Sequence, residues 1–166
     1  NSVDIVVSSL MMQWCPDLKQ LFSEIHRVLK NNGLILFSTF GPDTLKELKK
    51  SWSVVDNDTH VNTFTDMHDI GDQMLGAGFQ SPVMEMEKLT LTYQTVTDLL
   101  RDLKAIGAQT VSTRSKSLMG KDKFQLMIKM YESYRQDGKL PATYEVIYGH
   151  AWKRTSVVGK IDISNN

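Results

Sequence analysis

Residues 3–7, Val-Asp-Ile-Val-Val, form a β-branched run interrupted by one acid, and the run stops at the small polar pair Ser8-Ser9. A short, nearly continuous apolar run is how a strand buried on both faces of a parallel sheet reads. The next forty residues narrow the fold. From Asp17 onward, Leu18, Leu21, Phe22, Ile25, Val28 and Leu29 recur at three- and four-residue steps, which predicts a helix with one apolar face. Lys30-Asn-Asn-Gly33 is expected to close it, with cations in the last turn and glycine near the end. Leu34-Ile-Leu-Phe-Ser-Thr-Phe40 then reads as a second buried strand ending in hydroxyls. Strand, crossover helix and strand make a right-handed βαβ unit, with Ser8 and Thr39 on one rim. Ligands of open α/β sheets sit beyond the carboxyl ends of such strands, so Ser8 to Trp14 lies where a ligand would lie. A central parallel strand needs a neighbour on each side, and no residues precede this one. The expectation is therefore the carboxyl half of a larger domain.

The alternation of helix and strand continues. Gly41-Pro42 turns the chain, and Asp43 or Thr44 is placed to cap a helix carrying Leu45, Leu48, Trp52 and Val55 on one face. Residues 56–64, Asp-Asn-Asp-Thr-His-Val-Asn-Thr-Phe, are too rich in turn formers for either regular structure. Thr65 precedes a helix expected from Asp66 to about Leu75. Gly76-Ala-Gly78-Phe79 ends it and leads to a third strand near Pro82 to Tyr93. Two helices follow, one opened by Thr95-Val-Thr-Asp98 and stopped by Gly107, the other from Lys121 to Gln136, with a polar stretch between them. The last strand, Ala142 to Trp152, alternates Tyr144, Val146, Tyr148 and His150 against Glu145, Ile147, Gly149 and Ala151. Residues 154–166 lack apolar periodicity and read as a tail. The fold class is α/β: four strands with helices between them, and a two-helix insertion over residues 95–136 before the last strand.

Lys plus Arg and Asp plus Glu are both 19, so net charge gives no reason to propose nucleic acid or an anionic membrane as partner. No apolar run approaches the length of a membrane span. The one cysteine, Cys15, excludes an internal disulfide and favours a reducing, cytoplasmic setting. Nothing beside Cys15 resembles an activating base, and the four histidines show no metal-ligand spacing, so no metal site is expected. Met11, Met12, Met84, Met86, Met127 and Met130 read as core filling. The insertion stands out, with eight Lys or Arg against four Asp or Glu, and is the place to look for an acidic partner.

Asp4-Ile-Val-Val-Ser-Ser-Leu-Met-Met-Gln13-Trp14, then Asp17-Leu, then Glu24-Ile-His-Arg-Val-Leu-Lys30 and Gly33 before a second strand, resembles the fourth strand, helix and fifth strand of class I S-adenosylmethionine (SAM) dependent methyltransferases. Three later segments narrow the resemblance. They are Val55-Asp56 with His60, Asn62 and Phe64; Leu103-Lys104 with Ile106-Gly-Ala108; and Leu140-Pro with Thr143-Tyr144. Together these resemble the malonyl-acyl carrier protein (ACP) O-methyltransferases of biotin synthesis, over residues 1 to about 153. The resemblance implies a Rossmann-like class I sheet from its fourth strand onward. It implies a cytoplasmic enzyme that moves the SAM methyl group to the free carboxylate of malonyl-ACP. The Gly-rich loop and the acids that hold ribose and adenine are missing, because the chain's Gly-x-Gly, Gly76 to Gly78, follows a helix and leads into a strand. The chain would then carry one wall of the SAM pocket and the substrate side, and be inactive alone.

Transfer to a carboxylate needs no catalytic triad, because the acceptor is already ionised at neutral pH, so no acid–base catalyst is expected. Ser8, Ser9 and Leu10 are the expected SAM contacts, an ordinary strand-to-loop turn being the other reading. Gln13, Trp14, Thr39, His60, Asn62 and Lys104 are the substrate-side candidates. Trp14 could equally be core packing, and His60 and Asn62 plain solvated loop residues. Arg101, Arg114, Lys116, Lys121 and Lys123 would offer a carrier-protein surface, or only a soluble face. Two other functions remain open: a methyltransferase on another small acid or quinone precursor, and a non-catalytic half-domain that self-associates through the unpaired edge of its first strand.

Overall fold

The computed structural model describes residues 1–105 and 120–154. Four strands form one sheet in the order β1-β2-β4-β3, where β1 is Val3–Ser9, β2 Leu29–Phe40, β3 Gln80–Tyr93 and β4 Leu140–Lys153. β1 and β2 run parallel, as the crossover through α1 (Leu18–Val28) demands. Gly41 N donates to Glu145 O at 2.9 Å and Leu45 N to Thr143 O at 2.6 Å, while Phe37 packs on Gly149. Numbers rise along one strand as they fall along the other, so β4 is antiparallel to β2. The α/β class holds, with α2 (Lys46–Ser53) and α3 (Met67–Gly76) between β2 and β3, and α4 (Val96–Ala105) and α5 (Lys121–Glu132) between β3 and β4. The chain divides into two compact units.

The first unit comprises Asn1–Ser38, His68–Met84 and the residues from Tyr148 onward. Asp17 caps α1 as its sequence predicts, accepting from Gln20 N at 2.9 Å. The other end of α1 departs from expectation. The helix gives way at Leu29 directly to β2, and Lys153 Nζ donates to the carbonyls of His26 at 2.7 Å and Leu29 at 2.8 Å. A lysine from the far end of the chain thus satisfies carbonyls expected to be closed by the Lys30–Gly33 segment. That segment instead lengthens β2: Val3 pairs with Leu29 and Ile5 with Leu34, the extra residues being absorbed where Asn32 takes a positive φ of 62°. Phe22 fills the core, its ring 6.0 Å from Phe37 and 6.4 Å from Phe79. Gly78, at φ 95°, ends α3 as predicted and lies against the His26 ring.

β1 does not meet its expectation of burial on both faces. It is an edge strand in this sheet, and Ile5 and Val7 are 55% and 71% exposed. Among the described residues its β-branched run is therefore an uncovered apolar surface. Among the methionines, Met12, Met74 and Met127 are buried, whereas Met11 and Met86 are exposed, contrary to the core-filling reading.

The second unit comprises Thr39–Met67 and Glu85–Ile147. Leu45, Leu48 and Trp52 of α2 join Val96, Leu99 and Leu103 of α4, Met127 and Tyr131 of α5, and Leu140 and Ala142 of β4 in one buried cluster. Thr95 Oγ1 accepts from Asp98 N at 3.2 Å, so α4 is capped as expected. α2 is not. Its N-cap is Leu45 in the left-handed region, with no side-chain cap, because Thr44 and Asp43 are engaged elsewhere. Thr44 Oγ1 donates to Glu145 O and accepts from Glu145 N, both at 3.1 Å, and Asp43 N donates to Glu145 Oε2 at 2.6 Å. The α5 helix ends at Glu132, four residues before its predicted limit.

Gly149 is where β4 admits the Phe37 ring: a Cβ there would stand 2.2 Å from Phe37 Cζ. Gly149→Ala should destabilise the fold by about 1–3 kcal/mol through overpacking, read as a lower urea midpoint at unchanged slope. An unshifted midpoint would mean that the strand and ring part easily.

Candidate functional site

The expected cofactor residues lie at the carboxyl end of β1. Register brings Ser8 opposite Phe37 and Ser9 opposite Ser38, so the two strand ends share a rim as the βαβ reading requires. Leu10 takes a positive φ of 48°, and its N–H donates to Ser38 O at 3.0 Å and Ser38 Oγ at 3.2 Å. Ser9 and Ser38 hydroxyls stand 3.5 Å apart. Gln13 folds back through its Nε2 onto Leu10 O at 2.5 Å, in a short 3-10 turn over Met12–Trp14. The turn buries Met12 and leaves Trp14 41% exposed, which removes the core-packing alternative for the indole. The first unit thus gathers Ser8, Ser9, Leu10, Gln13 and Trp14 at one strand end. Ser9 and Leu10 are open to solvent there, and small hydroxyls with exposed backbone suit the polar edges of a nucleoside-like ligand. The Gly76-x-Gly78 turn follows α3, as its sequence position implied, and supplies no strand-to-helix phosphate or nucleotide loop.

Thr39, His60, Asn62 and Lys104 fall in the second unit and are not clustered. Thr39 is 4% exposed, a buried β2 residue. Lys104 is exposed in the last turn of α4. His60 is not the solvated loop residue its surroundings suggest. Its ring stacks on Trp52 at 3.8 Å and 14°, and its Nε2 lies 2.6 Å from Asp56 Oδ1. The other Asp56 oxygen accepts from Lys123 Nζ at 2.9 Å. This clamp fixes loop 56–64 to α2 and α5. Asn62 is half-buried next to buried Val61.

Loop 56–64 also completes an aromatic run that sequence reasoning missed. Phe64 packs on Phe40 at 5.6 Å, and Phe40 on Tyr144 at 5.9 Å. Lys49 Nζ lies 5.0 Å over the Phe64 ring and donates to Pro42 O at 3.0 Å. Burial pushes the Lys49 ammonium below its usual range, and burial beside Tyr93 raises the Tyr144 phenol well above its own. The only local signals for these contacts are aromatic residues inside polar stretches.

Two of the expected carrier-facing cations are neutralised within the fold: Arg101 pairs with Asp98 at 3.0 Å and Lys123 with Asp56. Lys121 is exposed at the start of α5, and Arg114 and Lys116 lie outside the described residues. Donor atoms of Asp56, Asp58 and His60 all lie within 4.8 Å of one another, a grouping the histidine spacing alone does not reveal. Both Asp56 oxygens are committed to His60 and Lys123, so the cluster is a salt-bridged strut.

Hydrogen bonds from His60 and then Lys123 hold the Asp56 carboxyl down at about 2, from an ordinary 3.8. A carboxyl depressed in the folded state contributes stability above its ordinary value and loses it as pH falls towards the folded value. Asp56→Asn should therefore melt at a lower temperature than the parent near neutral pH, and the gap should close as pH falls from 3.8 towards 2. A gap independent of pH would show that Asp56 acts through packing alone.

A family profile described as a methyltransferase domain matches residues 1–37, the βαβ unit that carries the rim. A Gallionella capsiferriformans protein named malonyl-[acyl-carrier protein] O-methyltransferase is 58% identical over 154 residues, covering 92% of this chain and 53% of its own. A Nitrosospira multiformis protein of the same name is 55% identical over 158 residues, 93% of this chain and 52% of its own. The chain spans about half the length of these curated relatives. Among solved structures, a Bacillus halodurans protein described as a methyltransferase superposes with a TM-score of 0.56 at 17% identity, covering 93% of this chain and 65% of its own. The YcgJ protein of Bacillus subtilis gives 0.55 at 15%, with the same coverage. On a methyltransferase fold, the chain is thus a relative of the malonyl-[acyl-carrier protein] O-methyltransferases over about half their length.

Proposed function

We propose that this chain forms part of an enzyme that transfers the methyl group of SAM to the free carboxylate of malonyl-ACP, giving the methyl ester that primes the pimeloyl unit of biotin. The observation that carries the reading is identity of 58% and 55% to relatives of that name along more than nine-tenths of the chain. SAM, when bound, supplies an activated methyl group on a sulfonium. The chain's own residues have positioning work to do, because a carboxylate is already a nucleophile at neutral pH. Ser8, Ser9 and the Leu10 backbone form one wall of the methyl-donor pocket. The exposed Trp14 indole is an apolar wall on the acceptor side, held by the turn that Gln13 closes onto Leu10. His60 and Asn62 act through loop 56–64, which the Trp52 stack and Asp56 hold in place and which carries Phe64 to Phe40 at the end of β2.

Lys104, exposed in the last turn of α4, and Lys121, exposed at the start of α5, offer cations to acidic groups of the carrier; Arg101 and Lys123 reach it only by exchanging carboxylate partners. The strand-to-helix connections of these residues include no Gly-rich loop. Joined in register to the unmatched half of the Gallionella relative, the chain should move label from methyl-labelled SAM to malonyl-ACP, and neither to acetyl-ACP nor to free malonate. Equal labelling of free malonate would favour a small-acid methyltransferase, and no labelling of any acceptor would overturn the reading.

A further inference from the structure

A cavity of about 280 Å³ opens on the second unit. Lys46 and Lys50 of α2, Thr90 of β3, and Tyr134 and Gln136 from the turn after α5 line it. The two lysines are four residues apart on one helix face, where like charges repel, and Lys46 occupies the first turn, where the helix dipole disfavours a cation. The neighbouring acids do not offset this. Glu47 lines the cavity but is 6% exposed, and its two oxygens accept from Thr143 N at 3.0 Å and Thr143 Oγ1 at 2.5 Å. Asp43, whose field reaches Lys46, is bonded to Lys88 Nζ at 2.6 Å. Among the described residues neither Lys46 nor Lys50 has an ion pair. An anion between the two ammonium groups would remove the repulsion and reverse the dipole penalty.

The lining also limits what that anion is. Five donor side chains from three segments of the chain line the cavity, which suits the several oxygens of a phosphate better than the two of a carboxylate. The volume exceeds that of the phosphate alone and is near the lower end for small-molecule sites, and Pro141 with the Tyr134 ring gives it apolar walls for attached carbon. We propose that this groove binds a phosphate ester. Resting on the function proposed above, the ester is the phosphodiester that joins a carrier protein to its pantetheine arm.

The test is titration of the chain, followed by amide chemical shifts, with 4′-phosphopantetheine, pantetheine and inorganic phosphate. Phosphopantetheine should bind about tenfold tighter than pantetheine, shift the amides of Lys46, Lys50 and Gln136, and weaken as salt rises. Lys46→Ala with Lys50→Ala should abolish the preference while keeping or raising the melting temperature, since neither ammonium is bonded within the fold; Lys50→Arg should retain it. Equal affinity for pantetheine and phosphopantetheine, or a preference that survives the double substitution, overturns the proposal. Inorganic phosphate binding as tightly as phosphopantetheine overturns the arm as ligand. Loss, in the double variant, of binding to a carrier bearing no arm would assign the lysines to acidic side chains instead, and overturn it too. Failure of the methyltransferase reading is separate: phosphopantetheine binding with no methylation of malonyl-ACP leaves the groove standing.

Discussion

The sheet depends on the last strand of the chain returning to lie beside β2, about a hundred residues after β2 has passed. The bonds that fix it converge on Glu145. Its carbonyl accepts from Gly41 N and Thr44 Oγ1, its N–H donates to Thr44 Oγ1, and its carboxylate accepts from Asp43 N. Glu145 and Thr44 are both buried, so each of these groups would go unsatisfied if β4 slipped by one residue. Two positions along, Thr143 repeats the device with Glu47, whose buried carboxylate takes both the backbone and the hydroxyl proton of Thr143. The start of α2 is thereby set by β4. This is why α2 tolerates a left-handed leucine as its N-cap and does without a side-chain cap.

The same long-range bonds explain what could and could not be read from the sequence. α1, α3 and α4 were legible because their signals are local: Asp17 and Thr95 cap within three residues, and Gly78 supplies the positive φ that ends α3. The cap of α2 was misread because Thr44 and Asp43 look like local caps and are bonded to a residue 101 or 102 positions away. The end of α1 was misread for the same reason, since Lys153 lies more than 120 residues from the carbonyls it closes. For β1 the β-branched run gave the strand and its parallel partner correctly. Burial of its apolar side chains, however, depends on what packs against the strand, and among the described residues β1 stands at the edge of the sheet with Ile5 and Val7 exposed.

Charge placement was legible only as a sum. The basic insertion stands out by count, yet Arg101 and Lys123 pair with Asp98 and Asp56, and the lysines left without a carboxylate at the cavity, Lys46 and Lys50, lie outside the insertion on α2. A count of cations over a window cannot separate those balanced within the fold from those left over, because the balancing acid can come from any element. His60 makes the same point for a neutral-looking loop. Its surroundings in sequence are polar, but the Trp52 face on α2 and the carboxylate of Asp56, the first residue of the loop itself, hold it and fix the stretch in place.

A site for methyl transfer to a carboxylate is also inherently hard to see in residue types. The acceptor arrives ionised, so no histidine, cysteine or paired carboxylate is needed to activate it, and what the protein must supply is alignment and dryness. At the end of β1 the chain is shaped by backbone and small side chains: the Leu10 N–H on Ser38, the Gln13 amide on Leu10, and a strand register that brings Ser9 opposite Ser38. In the second unit, aromatic contacts such as Phe64 on Phe40 and Phe40 on Tyr144 are in sequence indistinguishable from ordinary core. Such a site is specified by where chain segments meet rather than by which reactive groups they carry. Similarity along whole segments therefore identifies such a site better than any one motif, since residues such as Ser8, Ser9 and Leu10 have almost no chemistry of their own.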